Sequence, residues 1–309
     1  MRVHFWGTRG TFPQTSEEYR EYGGNTSCVS VECSAGLVIF DAGTGLETLG
    51  RWMKMEEARD DTLKSCPIHL FLSHVHLDHV LGLAQFLPLY DAGREVIIYG
   101  EDRVGLPLEA AVSHLIAPPY WPLAIQQMQA DVKFRSIRNG SVLKLMEVGS
   151  GETHLSGEHP VSIAAFSGNH PDGVLHYRLD EGNHSIFYGL DCEMNETVIE
   201  TMSRNCRGCS LLITDAQYTQ QQLETRRGWG HSSWKEGIRL RALSGAEQLI
   251  CMHYDCTLTD TELRIQEKLA QQEDSCCRFA KEGMEVIYDN RKTGKDSGYW
   301  NCFVRGEEL

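Results

Sequence analysis

Short β-rich runs and stretches of helical spacing alternate along this chain, and their order predicts layered α and β elements. Val3 to Trp6, Ser27 to Cys33 and Gly36 to Asp41 are apolar runs broken by Gly, Asn and Ser, the pattern of a strand meander. Leu46 to Arg59 carries Leu46, Leu49 and Met53 on one face and charges on the other, and predicts a helix. Pro67 to Ser73 reads as a strand, Leu77 to Leu87 as the helix that follows it, and Glu95 to Tyr99 as the next strand. Further on come a strand at Val161 to Phe166, a hairpin from Val174 to Gly189 and a helix near Asn195 to Asn205. Leu211 to Thr214 and Gln248 to Met252 read as buried strands, the second flanked by helices near Ser232 to Leu243 and Asp260 to Gln272. The early meander argues for mixed rather than purely parallel sheets. Gly105 to Ala130, with Pro118-Pro119-Tyr120-Trp121-Pro122, breaks the alternation and reads as an irregular, aromatic-tipped excursion.

Composition narrows the class. The 309 residues are 41% hydrophobic and 23% charged, as in a chain that buries a substantial core. Basic residues number 29 against 43 acidic ones, a net charge of −14 that disfavours a general binder of phosphate backbones. No run approaches the ~20 apolar residues of a membrane span, and the first residues lack a secretory h-region. The eleven cysteines follow no disulfide spacing; Cys206 and Cys209 form a C-x-x-C without a partner pair, and Cys276-Cys277 are vicinal. These features predict reduced structural thiols in a cytoplasmic protein.

Candidate chemistry begins at Ser73-His74-Val75-His76-Leu77-Asp78-His79, where three imidazoles and a carboxylate fall within six residues. His74 and His76, two apart on an extended segment, point the same way, while Asp78 and His79 lie where the chain turns into a helix. Imidazole and carboxylate donors suit zinc, and also manganese or iron. His170, Asp191 and His253 each follow a strand, at the edge where open α/β sheets place their sites.

Asp41 within Phe40-Asp41-Ala42-Gly43, the H-x-H-x-D-H run, His170, Asp191 and His253 together resemble the metallo-β-lactamase superfamily, over about residues 28 to 255. The resemblance implies an α/β fold, an αββα four-layer sandwich of two mixed β-sheets flanked by helices. It further implies a single domain over residues 1–309 with an irregular insertion near 105–130. Carried over position by position, His74, His76 and His170 would hold one divalent metal, and Asp78, His79 and His253 a second, with Asp191 bridging and Asp41 hydrogen-bonding behind the ligands. Gly230-His231-Ser232-Ser233 resembles the G-H-S-T run of the ribonuclease Z and cyclic-nucleotide phosphodiesterase branch, whose histidine faces the scissile phosphate. Asp215, after the strand Leu211 to Thr214, stands at that branch's acidic station, which more often carries Glu. Phe5-Trp6-Gly7-Thr8-Arg9-Gly10, Tyr22-Gly23-Gly24-Asn25-Thr26-Ser27-Cys28 and Pro119-Tyr120-Trp121-Pro122 look like a bacterial group of phosphodiesterase-like members. A penicillin-type lactamase lacks the G-H-S station.

The expected chemistry is hydrolysis with two divalent metal ions, zinc in first place and manganese or iron as alternatives. Two cations about 3.5–4 Å apart can share a hydroxide near neutral pH and clamp phosphate oxygens. Asp78 would orient that hydroxide as a base, and His231, oriented by Asp215, would protonate the leaving oxygen. The expected substrate is a small phosphodiester such as a cyclic nucleotide, with Phe12, Tyr120 and Trp121 as candidates to stack on a base and Asn169 as a further substrate contact. The alternatives are a ribonuclease Z-like RNA 3′-processing endonuclease, which wants a basic face, and a lactone or thioester hydrolase using the same metals. A non-catalytic binding module would require lost ligands, and none is missing. Many relatives are dimers, and the Gly105 to Ala130 excursion could reach across a two-fold axis.

Overall fold

The computed structural model describes residues 1–145 and 160–288, together with the backbone of 298–302. Fifteen strands form two sheets among these residues. The first runs in the spatial order Gly298–Cys302 (β15), Met284–Tyr288 (β14), Arg2–Gly7 (β1), Cys28–Cys33 (β2), Gly36–Phe40 (β3), Ile68–Phe71 (β4), Glu95–Gly100 (β5), Asp131–Ser136 (β6). The second runs Cys277–Phe279 (β13), Gln248–Met252 (β12), Leu211–Asp215 (β11), His184–Gly189 (β10), Val174–Glu181 (β9), Val161–Gly168 (β8), Val142–Leu145 (β7). Each sheet is mixed. Strands β3 to β6 pair in parallel and the rest of their sheet antiparallel; β10 to β13 are parallel, and β7 to β10 antiparallel.

The four layers follow from the period-2 alternation of apolar side chains. On β3, Val38 and Phe40 enter the core between the sheets, while Leu37 and Ile39 face the helix Gly45–Arg59 (α1) through Leu46, Leu49 and Met53. On β12, Ile250 and Met252 point between the sheets. Leu249 and Cys251 face the outer layer of Glu196–Asn205 (α4), Trp234–Ser244 (α6) and Asp260–Glu273 (α7). Phe40 stacks on Tyr188 across the central core, with ring centroids 5.1 Å apart. The αββα sandwich expected from the sequence is the observed architecture. No helix among the described residues is long and apolar enough to cross a membrane, and the ten described cysteines are free thiols.

Two stretches differ from their sequence reading. Leu77 to Leu87 was expected to be one helix, but only Leu77–Val80 (α2) is α-helical; 3-10 turns follow at Leu81–Gln85 and Leu87–Tyr90. Gly82 donates its N–H to Ala42 O (2.9 Å), and a Cβ there would lie 2.0 Å from Gly43 O, so this close tertiary contact takes the amide from the helical ladder. The Gly105 to Ala130 excursion contains a helix, Leu108–Leu115 (α3), started by Asp102 Oδ1 accepting from Leu108 N and buried through Leu108 and Val112. The remaining helix, Gln220–Thr225 (α5), begins on a Thr219/Gln222 capping box.

The strand ends set up the site. Asp41 follows β3, Ser73 to His79 follow β4, Asn169 and His170 follow β8, Asp191 follows β10, Asp215 ends β11 and His253 follows β12.

His69, on β4, is buried with Nδ1 3.1 Å from Tyr99 Oη, and burial lowers its pKa to about 4. Folding therefore favours the neutral ring, and its contribution is present above the unfolded pKa near 6.5 and is lost as pH falls toward 4. Between pH 7.5 and 5, His69→Gln should lose ~1–2 kcal/mol less stability than wild type, as read from urea midpoints; parallel losses would remove His69 from the acid response.

Candidate metal centre

Asp191 is the centre of the arrangement. Its Oδ2 lies 3.7 Å from His74 Nε2 and 3.7 Å from His170 Nε2. Its Oδ1 lies 3.3 Å from His79 Nε2 and 3.2 Å from His253 Nε2. The two oxygens of one buried carboxylate thus face two separate groups of donors. The first group is His74, His76 and His170, where His170 Nε2 stands 3.2 Å from His76 Nδ1. The second is Asp78, His79 and His253, with His253 Nε2 3.2 Å from both His79 Nε2 and Asp78 Oδ2. Within each trio the donor atoms lie no more than 4.8 Å apart.

Hydrogen bonds behind the site fix which nitrogen faces inward. Asp41 accepts from Ser73 N (2.7 Å), Ser73 Oγ (2.8 Å), Tyr188 Oη (2.8 Å) and His79 Nδ1 (2.7 Å). With the Ser73 hydroxyl proton committed to Asp41, Ser73 Oγ accepts from His74 Nδ1 at 3.0 Å. His170 Nδ1 donates to Gly230 O at 2.9 Å. His74, His79 and His170 therefore all turn Nε2 toward Asp191, and buried His74 Nε2 has no hydrogen-bond partner. Bare imidazole nitrogens converging on a carboxylate fit divalent cations, and the all-N/O donor set without thiolate suits zinc, manganese or iron. Asp41, Asp191 and His253 all hold positive φ (60°, 50° and 63°), a backbone cost that non-glycine residues bear mainly at functional sites.

The electrostatics divide along the same line. Burial, then the neighbouring His79, pushes His74 well below the usual imidazole range, and burial also lowers His170. In the second trio, burial opposes charge but the carboxylates prevail. Asp191 and then the Asp78 hydrogen bond raise His253 to about 9, while Asp191, Asp78 and Asp41 raise His79 well above the usual imidazole range. Against burial, the His253 and His79 rings hold Asp191 well below the carboxylate range, and the same two rings lower Asp78. Without metal, the second trio carries protons that a cation would displace.

His231 flanks both groups, its ring centroid 5.0 Å from that of His170 and 5.2 Å from that of His253. Its Nδ1 lies 2.8 Å from Asp215 Oδ2, so Asp215 reaches it despite being shorter than Glu. Asp215 is itself fixed by Gln217 N on Oδ1 (2.8 Å) and Cys192 N on Oδ2 (3.3 Å).

The sequence candidates for substrate contact divide. Phe12 is exposed (64%), two residues beyond Gly10 and its contact with the His253 ring. Asn169 is exposed, but its side-chain amide donates to Glu193 O at 2.8 Å. Tyr120 is exposed beside an apolar groove bordered by Val75 and Leu77. Trp121 is not a free stacking surface: it packs against the helix-side core and donates its indole N–H to Tyr90 Oη (3.2 Å). Ser73, Tyr188, Thr11 and Gln217 were missed. Ser73 directly precedes the H-x-H-x-D-H run and Gln217 lies two residues beyond Asp215, each beside a chemical motif; Tyr188 and Thr11 reach the site through folding alone.

Comparison with known proteins agrees with this geometry. The family description "Beta-lactamase superfamily domain" matches residues 37–254. A protein named ribonuclease Z from Haloarcula marismortui is 22% identical over 92% of this chain and 96% of its own length. The metallo-β-lactamase fold protein YhfI from Bacillus subtilis superposes with a TM-score of 0.64 at 18% identity, covering 92% of this chain and 98% of that one. Yeast PDE1 superposes with a TM-score of 0.59 at 14% identity, covering 92% and 98%. With the matched region holding every strand-end donor and the backing carboxylate, from Asp41 to His253, the chain belongs to the β-lactamase superfamily, as a metallo-β-lactamase-fold hydrolase of the branch that includes ribonuclease Z.

Proposed function

We propose that this chain is a phosphodiesterase that cleaves a small phosphodiester such as a cyclic nucleotide. The observation that carries the reading is the Asp215–His231 pair, 2.8 Å apart and set against both donor groups. Two divalent ions, held by His74, His76 and His170 and by Asp78, His79 and His253 with Asp191 between them, would supply an acidified water and an electrophilic pull on phosphoryl oxygens. His231 donates Nδ1–H to Asp215, which leaves Nε2 to carry a proton to the departing alkoxide. Asp215 keeps that ring oriented and stabilises its cationic form, as a carboxylate behind an imidazole does in other hydrolases. Asp78 is pinned by Thr11 N on Oδ2 (2.6 Å), so its carboxylate is held where it can orient the attacking water.

Two features favour a small substrate. The net charge of −14 gives a polyanion little general attraction. A cavity of about 750 Å³ that reaches His231 and Ser232, its wall carrying Arg227, Lys235 and Arg239 together with five glutamates, has room for a nucleoside-sized group. A second reading, a ribonuclease Z-like endonuclease, is favoured by the likeness to the Haloarcula marismortui protein over 92% of the chain.

His231→Ala should lower kcat on a cyclic nucleotide by about 10²–10⁴, the usual range for losing a general acid, while leaving metal content unchanged. The loss should be much smaller on bis-p-nitrophenyl phosphate, whose phenolate departs without a proton. Equal losses on both substrates would remove the proton-donor role.

Chelation should abolish turnover, and zinc or manganese should restore it, with metal analysis giving two ions per chain. Precursor tRNA cleavage that exceeds cyclic-nucleotide turnover and falls steeply between two salt concentrations would favour the endonuclease reading instead.

A further inference from the structure

The segment Thr8 to Phe12 leaves β1 and crosses the second donor group. Thr8 O accepts from His253 N (2.7 Å) and Tyr254 N (3.2 Å), and Gly10 N donates to Tyr254 O (2.9 Å). These bonds hold the backbone of His253, a residue at φ 63° whose conformation needs support from its surroundings. Gly10 lies flat against the His253 imidazole; a Cβ on it would stand 2.3 Å from Cε1 and 2.5 Å from Nδ1. Thr11 N donates to Asp78 Oδ2 at 2.6 Å, the oxygen that faces His253 Nε2. Two of the second trio's three donors are therefore set by this one segment.

The segment has its own anchor. Arg9 is fully buried; its guanidinium donates from Nε to Gly23 O (2.8 Å), also bonds Leu258 O, and pairs with Asp260 Oδ1 at 3.6 Å. It ties the segment to the loop beyond His253 and to the start of α7. Thr11 Oγ1 also accepts from Gln217 Nε2 (3.2 Å), next to the backbone amide that fixes Asp215. The first trio is held differently, by Ser73 behind His74 and Gly230 behind His170.

We propose that Gly10 is a positioning residue for the second metal site, which takes its metal-binding shape from the docked Thr8 to Phe12 segment, whereas the first site does not. This deepens and rests on the two-metal reading above. Gly10 does not hold a positive φ, so alanine meets no backbone penalty of the left-handed kind, and the three atoms nearest its methyl all belong to the His253 imidazole. Pushing that ring aside moves a donor of the second trio and leaves His74, His76 and His170 in place.

The test is a zinc titration of chelator-stripped full-length protein against a competing chromophoric chelator. Wild type should take two zinc ions. Gly10→Ala should keep the first at wild-type affinity and weaken the second at least ~10-fold, on the scale of losing a ligand-orienting contact. Two wild-type affinities in Gly10→Ala, or equal weakening of both, would overturn the proposal. Wild-type protein taking no zinc, manganese or iron would instead overturn the metal reading on which it rests. Amide exchange on wild type decides the matter if the variant does not fold. Protection of the Thr11 N–H should rise with the second equivalent of zinc; a rise with the first, or none, overturns the assignment.

Discussion

A single carboxylate buried among imidazoles is the interaction on which the rest of this structure depends. Asp191 is 2% exposed and stands within 3.9 Å of ring nitrogens from five histidines: His74, His79, His170, His231 and His253. A buried carboxylate with no compensating charge costs several kcal/mol, so this site must hold positive charge, as protons or as metal. Without cations, the raised pKa values of His79 and His253 answer that demand, and divalent ions in the pockets would displace those protons. The hydrogen bonds behind His74, His79 and His170 turn Nε2 of each ring toward this carboxylate. Asp41 does the same work one shell further out, where four donors fix it and it fixes His79.

The fold makes this possible because strands from both sheets end at one edge. β3 and β4 of the first sheet deliver Asp41 and Ser73 to His79; β8, β10, β11 and β12 of the second deliver His170, Asp191, Asp215 and His253. Their interiors alternate apolar side chains between two cores and leave little freedom of register, since a shift by one residue would exchange the faces. The chain departs from relaxed backbone where the strands stop, at Asp41, Asp191 and His253. Strain there is carried by the surrounding hydrogen bonds: Asp41 N to Phe71 O at 2.9 Å and His253 N to Thr8 O at 2.7 Å.

Much of this was legible in the sequence, for identifiable reasons. Ligands bunched as H-x-H-x-D-H are a local signal, and His170, Asp191 and His253 became legible because each closes a recognisable apolar strand. The mixed sheets followed from the early meander. What failed was governed by contacts distant in sequence. Leu77 to Leu87 has helical composition, yet Gly82 packs against Gly43 and takes a different ladder. Trp121 looked like an exposed ring because prolines surround it, yet Tyr90 and the α1-side core hold it. The strands β6 and β7 expose much of their surface and carry Lys and Arg, so they lack the apolar run that marked the interior strands. Thr11 has no signature, because a backbone amide joins a site only through where the fold sends it; Gln217 is local to Asp215, and only its side-chain bond to Thr11 depends on the fold.

The short side chain of Asp215 has a structural reading. β11 runs parallel to β10 with Gly189 opposite Thr214, so Asp215 projects from a strand end beside the chain that carries Asp191. At that separation an aspartate already reaches His231 Nδ1 at 2.8 Å and has both oxygens occupied, by Gln217 N on one side and by His231 and Cys192 N on the other. An extra methylene would have to fold back on itself in a fully buried position or push the ring toward Asp191. Gly230 restricts the ring's neighbourhood further, because its φ of 87° lets the backbone carbonyl hold His170 where a side chain would collide with that imidazole at 2.1 Å. The short acid and the glycine act side by side: Asp215 sets His231 close to both donor groups, and Gly230 leaves His170 free to turn its other nitrogen inward.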